Sequence, residues 1–258
     1  MNYDLVICGV GGQGVLSIAW VIDHAVHEAG LHFKQSEVHG MAQRGGAVSA
    51  FVRISDKPVA SDLIANGAAS LVLSVEPMEA LRYAQLLRPD GWIVSDVTPL
   101  ENVDVYPQHE ALYKVLFSVP HLVALDATRL ATKAGAAKAQ NMVALGAAAS
   151  QLPLPVDLLE KQIHELFVSK GERIVKANIN AFRMGTAASQ FAAALSAAGV
   201  PSAVLARLLP RLAFEPQAVA QPTLDAWCKR LLAADAAQLA LQLFLADTVL
   251  ALDAVPAC

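Results

Sequence analysis

Residues Gly9–Gly14 read GVGGQG. They follow the short apolar run Tyr3–Cys8 and precede a stretch in which Val15, Ile18, Ala19, Ile22, Val26 and Ala29 recur at helical spacing, with Gly30 as the stop. A buried strand, a glycine turn and a helix in that order make the opening unit of a Rossmann-like α/β fold. Glycine lets the backbone turn tightly and lets another group approach it closely. The helix N-terminus presents unpaired N–H groups and the positive end of the helix dipole, which suits an anion. The motif decides the fold class and leaves the ligand open.

Working outward, strand-like runs at Leu31–Ser36, Ala47–Ile54, Ser70–Val75, Trp92–Val97 and Leu122–Leu125 alternate with helical stretches. The helices are expected at Pro77–Leu87, Asn141–Ser150, Val156–Phe167 and Lys176–Ala197. Such alternation predicts a three-layer α/β domain with a mostly parallel sheet covered on both faces. Composition shifts near Gly199–Pro201, so the chain divides into a domain over 1–198 and a helical extension over 199–258. Helices are expected in the extension at Thr223–Ala233 and Asp235–Leu252, and its surplus of leucine and alanine suits an interface.

The 258 residues are 55% hydrophobic and 16% charged, with a net charge of -4. A chain without a basic footprint is not a general binder of nucleic acid or of an anionic membrane. The apolar windows Phe191–Leu209 and Ala233–Val255 are interrupted by Gly199, Pro201 and Arg207, and by Asp235, Asp247 and Asp253, so neither reads as a membrane span. No leader pattern opens the sequence, which makes the cytoplasm the expected compartment. Cys8, Cys228 and Cys258 are far apart and odd in number, which implies no disulfide framework and no four-cysteine iron–sulfur site.

Two constellations carry chemistry. Gly9, Gly11 and Gly14 fit GxGxxG, and Glu37 lies at the distance of a ribose-binding acid, which together read as an NAD site. A tight βα turn with no ligand satisfies the same residues, and Gly12 and Gln13 make this turn unusually glycine-dense, with an amide at its tip. The second constellation, Glu37–Gly46, gathers Glu37, His39, Gln43 and Arg44 among Gly40, Gly45 and Gly46, and is expected as a polar loop beside the sheet. Arg44 suits a carboxylate or phosphate, and His39 a proton or a hydrogen bond. A solvated loop with a local Arg–Glu pair is the plainer reading. His24 and His27 complete no zinc pattern, no GxSxG elbow occurs, and Cys8 falls in a buried strand, so neither a metal site nor a nucleophile is expected. Asn141 and Asn178 read as hydrogen-bonded fillers or caps on apolar helical surfaces.

Five stretches taken together carry a resemblance: GVGGQGVL at Gly9–Leu16, SEVHGMAQRGG at Ser36–Gly46, EPMEALRY at Glu76–Tyr83, NMVALGA at Asn141–Ala147 and NINAFRMG at Asn178–Gly185. In this order they resemble the gamma-type domain of the 2-oxoacid:ferredoxin oxidoreductases, most of all its indolepyruvate-type beta chains, over about Met1–Leu195. The resemblance implies a hetero-oligomer that oxidatively decarboxylates a 2-oxoacid with coenzyme A, giving an acyl-CoA, carbon dioxide and reduced ferredoxin. It implies aryl pyruvates as substrates, with phenylglyoxylate, pyruvate or 2-oxoglutarate as alternatives. Thiamine diphosphate, magnesium and four-iron–four-sulfur clusters are then expected on a large partner chain, because this one holds neither a GDG…NN motif nor cluster cysteines. The candidate crevice toward that partner comprises Gly9, Gly11, Gly12, Gln13, Gly14, Glu37, His39, Gln43, Arg44, Gly45, Gly46 and Asn141, with Arg44 as the anionic contact. Outside the family, a free-standing NAD(P)-binding Rossmann protein is the alternative, and a third reading is a non-catalytic module that only stabilises the large subunit.

Overall fold

β1 (Asn2–Val10) crosses the centre of a six-stranded sheet, and its residues from Asp4 onward are buried. A computed structural model of the chain describes residues 1–40 and 45–256. The glycine turn leads into α1 (Val15–Glu28). β2 (His32–His39) and β3 (Ala47–Ser55) follow as an antiparallel pair. Then come β4 (Ala69–Ser74), α2 (Pro77–Arg82), β5 (Leu87–Asp96), α3 (His109–Leu116) and β6 (Leu122–Leu125). Four helices complete this part: α4 (Ala127–Lys133), α5 (Gln140–Ala148), α6 (Val156–Phe167) and α7 (Glu172–Ala197).

The strand order is β2-β3-β1-β4-β5-β6. β1, β4, β5 and β6 pair in parallel, while β3 is antiparallel to both of its neighbours, so only β3 runs against the rest. The sheet is mostly parallel, as the alternation of strands and helices predicts. The alternating pleat of β1 supplies both faces. Leu5 and Ile7 join one core with α1, α5, α6 and α7, while Val6 and Cys8 join a second core with Ala80 of α2 and Leu116 of α3.

Local chemistry sets the boundaries. Glu76 caps α2 by accepting the Glu79 N–H at 2.8 Å, and Pro77 occupies the first turn, where its missing N–H costs nothing. Asp126 caps α4 in the same way through the Arg129 N–H at 2.8 Å. α5 and α7 cross so closely that a Cβ on Gly146 would overlap the Phe182 carbonyl, and one on Gly185 the Val143 carbonyl. The NMVALGA and NINAFRMG stretches are therefore the two sides of one helix crossing.

Residues 199 onward form α8 (Ser202–Leu208), β7 (Leu212–Ala213), α9 (Gln221–Leu231), α10 (Ala236–Leu245) and β8 (Leu250–Ala251). Leu205, Leu208 and Trp227 enter the first core and Ala206 the second. α10 ends at Leu245, well before the expected Leu252. Asp247 takes a left-handed φ of 53°, and the chain returns as β8 to pair in parallel with β7. α2 is also shorter than expected, because Ala84–Leu86 tightens into a 3-10 turn and β5 begins at Leu87. α3, α4 and α8 were not expected. Each has eight residues or fewer, too short for a sustained helical period to stand out.

Candidate functional site: the crevice at the glycine turn

Gly14, with φ 84°, is the cap residue of α1, and no side chain caps this helix. Its carbonyl accepts the N–H groups of Ser17 at 3.1 Å and Ile18 at 3.2 Å, and the Asn141 Nδ2 at 3.2 Å from α5. A Cβ at Gly14 would collide with the Asn141 amide, and the positive φ disfavours one as well. The structure thus brings Gly14 and Asn141 together.

Gln13 turns inward. Its Oε1 accepts the Val10 N–H at 2.8 Å, and its Nε2 donates to the Val75 carbonyl at 2.9 Å. The side chain bridges the carboxyl ends of β1 and β4. There the strand order reverses direction, and α/β sheets open a crevice at such points. The amide at the tip of the turn thus ties two strands together.

The Gly11 N–H donates to the Gly46 carbonyl at 2.8 Å, so the residue that precedes β3 lies against the glycine turn. Asn102 Nδ2 donates to the Gly45 carbonyl at 2.7 Å from the segment joining β5 to α3. In that segment the Tyr106 hydroxyl donates to Glu76 Oε1, and the Leu100 N–H approaches the same oxygen at 3.4 Å. Glu76 is fully buried. A strap over residues 98–106 is therefore anchored to a buried carboxylate and holds Gly45 from outside. Burial first, and then the Glu76 carboxylate, push the Tyr106 phenol well above its ordinary range, so it stays a donor.

A hollow of about 310 Å³ remains, lined by Gly11, Gly12, Gly14, the first turn of α1, Val48 and His39. His39 Nε2 lies 3.0 Å from Glu37 Oε2, and Gln35 Nε2 donates to Glu37 Oε1 at 2.7 Å. These three residues alternate along β2, where a polar loop was expected from Glu37 onward. β2 is an edge strand, and an edge tolerates such a polar row. Gln43 and Arg44 fall outside the described residues.

The dinucleotide reading loses its geometry here. It requires the second strand beside the first. β3 is inserted between them, with Glu37 level with Ala50 and Ala50 level with Ile7. Two strand spacings, about 10 Å, separate Glu37 from β1.

Deeper in the same end of the sheet, Glu79 is 1% exposed. Burial raises its pKa against the pull of Arg82, whose Nε lies 3.3 Å from Oε1, and Glu76 raises it further. Burial likewise pushes up the Cys8 thiol, which makes it a poor nucleophile and a poor metal ligand. Three cysteines cannot ligate a four-cysteine cluster, and Cys8 in the sheet and Cys228 on α9 face different surroundings. The cysteines of this chain do not fit a four-cysteine iron–sulfur cluster. At the end of β5, Asp96 accepts the N–H groups of Thr98 at 2.9 Å and Ala127 at 3.2 Å, and burial raises its pKa to about 7.

Glu76, Asn102 and Tyr106 were not among the residues singled out from the sequence. The signal for Glu76 is its place directly before Pro77, where the sequence starts a helix, and its capping role shows only in the structure. Asn102 and Tyr106 lie in a connection without periodicity, and no local signal marks them.

With this arrangement in view, the sequence matches the pyruvate ferredoxin/flavodoxin oxidoreductase family over residues 4–188. The chain belongs to that family. It is 36% identical over 194 residues to the indolepyruvate oxidoreductase subunit IorB of Archaeoglobus fulgidus, an alignment covering 72% of this chain and 94% of that one. In fold it is similar to a 2-oxoglutarate:ferredoxin oxidoreductase from Magnetococcus marinus, whose structure holds 2-oxoglutarate, coenzyme A and succinyl-CoA. There the TM-score is 0.58 at 20% identity, over 73% of this chain and 31% of that much longer one. It is also similar to the pyruvate oxidoreductase subunit PORC of Thermotoga maritima, with a TM-score of 0.53 at 22% identity over 71% of this chain and 94% of that one. Its relatives are subunits of 2-oxoacid oxidoreductases. Among the described residues no helix is long and apolar enough to cross a membrane.

Proposed function

We propose that this chain is the beta-type subunit of an indolepyruvate oxidoreductase and works in the cytoplasm with a larger partner. The reaction is the oxidation of an aryl pyruvate with coenzyme A and two oxidised ferredoxins to an arylacetyl-CoA, carbon dioxide, two reduced ferredoxins and a proton. The observation that carries this reading is the match to the Archaeoglobus fulgidus IorB over 94% of that subunit's length. Thiamine diphosphate, magnesium and the clusters belong to the partner in this proposal, since the cysteines here cannot supply cluster ligands. The carbanion left by decarboxylation needs thiamine as its electron sink.

This chain's part is to complete the partner's site. Residues 1–198 form the oxidoreductase domain and 199–258 an added interface. Gly9–Gly14, Glu37, His39, Gln43–Gly46 and Asn141 shape a crevice toward the partner, where they exclude water and admit substrate or coenzyme A. Backbone N–H groups at the first turn of α1 and the Arg44 guanidinium supply the positive field for a carboxylate or phosphate.

Co-expression with a large thiamine-binding, cysteine-rich subunit of the same family from the same source, followed by anoxic purification, tests the reading. A brown 2-oxoacid-oxidising complex that prefers indolepyruvate over phenylglyoxylate, pyruvate and 2-oxoglutarate is the expected result. Arg44→Ala then raises KM for the 2-oxoacid or for coenzyme A in a complex that still assembles. Preference for another 2-oxoacid refutes the substrate. Unchanged KM for both refutes the role of Arg44 and favours a purely assembling subunit.

A further inference from the structure

Far from the glycine turn in sequence, α3, α8 and α10 enclose a second hollow of about 570 Å³, within the range of small-molecule sites. Its wall is aromatic. Tyr113 and Phe117 stack at 5.6 Å with their planes 12° apart, and Phe244 meets both edge-on at 5.2 and 5.0 Å. The Tyr113 hydroxyl donates to the Val97 carbonyl at 2.7 Å, which fixes that ring against the sheet. The wall is thus preformed.

Two guanidinium groups sit on these rings. Arg207 lies 5.6 Å from the Phe117 centroid and Arg211 lies 4.8 Å from that of Phe244. Arg211 is neutralised: it pairs with Asp247 and donates to the Phe244 carbonyl at 3.0 Å. Arg207 donates to the Ala203 carbonyl at 2.7 Å, and no carboxylate among the described residues pairs with it. Lys114 adds a third cation to the lining and Glu110 and Asp247 are its two carboxylates, so lysine and arginine exceed them by one, while His109, also in the lining, lies 3.0 Å from Glu101 Oε1. Arg207, Arg211 and Phe244 lie beyond residue 188, where the family match ends.

We infer that this hollow binds a monoanionic aromatic carboxylate, its ring against the half-buried Tyr113 and Phe244 and its carboxylate on Arg207, which the buried Phe117 ring supports from behind. Flat apolar walls suit a ring, whose face and edge both find favourable partners among aromatic side chains. A single uncompensated guanidinium suits one carboxylate, which it grips with two parallel N–H donors. A larger polyanion would meet Glu110 and Asp247 across the same opening. The inference does not depend on the activity proposed above.

Isothermal titration of the full-length chain with phenylacetate and indole-3-acetate tests it, with indole and acetate as the half-ligands. Saturable one-to-one binding of the aryl acids, at least ten-fold tighter than either half-ligand, is expected. Arg207→Gln weakens that binding roughly ten-fold or more, as loss of a charged hydrogen bond does, without a change in melting temperature beyond about 2 °C. Lys114→Gln, at an exposed position of α3, weakens it by about two- to five-fold through charge alone and guards against misfolding of the arginine variant. Equal binding of indole and indole-3-acetate would overturn the proposal and leave an apolar surface. So would binding insensitive to both variants, or no saturation up to about 10 mM.

Discussion

Replacing Gln13 by alanine tests whether the amide at the glycine turn is a structural tie. The wild-type side chain makes two hydrogen bonds to backbone, from the Val10 N–H at 2.8 Å and to the Val75 carbonyl at 2.9 Å. Val10 and Val75 are themselves buried, so Gln13→Ala strands one donor and one acceptor at the ends of two central strands. A buried polar group left unpaired costs about 1–3 kcal/mol. Gln13 is only half-buried, so water reaches part of the gap and holds the total near the lower half, roughly 2–4 kcal/mol for the pair. For a chain of this size each kcal/mol moves the melting temperature by about 2–4 °C, which predicts a loss of roughly 4–16 °C. Urea denaturation followed by circular dichroism measures it, and the slope with denaturant stays unchanged because the surface exposed on unfolding is the same. Gln13→Glu keeps the acceptor for Val10 but sets a carboxylate oxygen against the Val75 carbonyl, so it costs at least as much. A loss below about 1 kcal/mol in both variants would refute the tie and return Gln13 to the functional residues.

Two further outcomes follow from buried groups. Asp96 titrates at about 7 in the fold because of burial, against about 3.9 when unfolded. Between those values the folded chain keeps a proton that the unfolded chain has lost, so stability falls as pH rises from about 4 to 7. Asp96→Asn keeps the acceptor for Thr98 and Ala127 and removes that titration. Thermal melts across pH 4–8 should show a shallower decline for the variant, and parallel curves would refute the assignment. Asp23, also raised to about 7 by burial and by Glu37, contributes a slope of the same sign that both proteins share. Gly185→Ala drives a methyl group into the Val143 carbonyl at the α5–α7 crossing. An overpacking cost of about 1–3 kcal/mol is expected, and an unchanged melting temperature would show that the helices part freely.

The sheet was legible wherever local pattern and tertiary setting agree. β6 and α6 fall at the expected residues, and β1 and α1 are within one or two residues of them, because an apolar run and a helical period each mark a buried face. Strand order was not legible. Nothing local in Ala47–Ser55 announces that β3 enters between β1 and β2, and this insertion is what separates Glu37 from the glycine turn. Of the candidate site, the proximity of the glycine turn, Gly46 and Asn141 is visible in the structure, whereas the inward fold of Gln13 depends on Val75, 62 residues away. Glu76 entered the sequence reading only as the first residue of EPMEALRY. Its hold on Tyr106 spans 30 residues of chain without a periodic signal.

The inward amide of Gln13 also bears on how the crevice would meet whatever fills it. A glycine-rich turn left to itself samples many conformations, and a ligand that selects one of them loses affinity to that ordering. Here Gln13, bonded at both ends within its own chain, and Asn141, bonded to Gly14, settle the shape of the turn in advance. The remaining backbone N–H groups at the first turn of α1 stand preorganised. Recognition at this point would rest on fixed main-chain dipoles, insensitive to the rotamers of neighbouring side chains, and nearly all of its binding free energy would be available for holding the ligand.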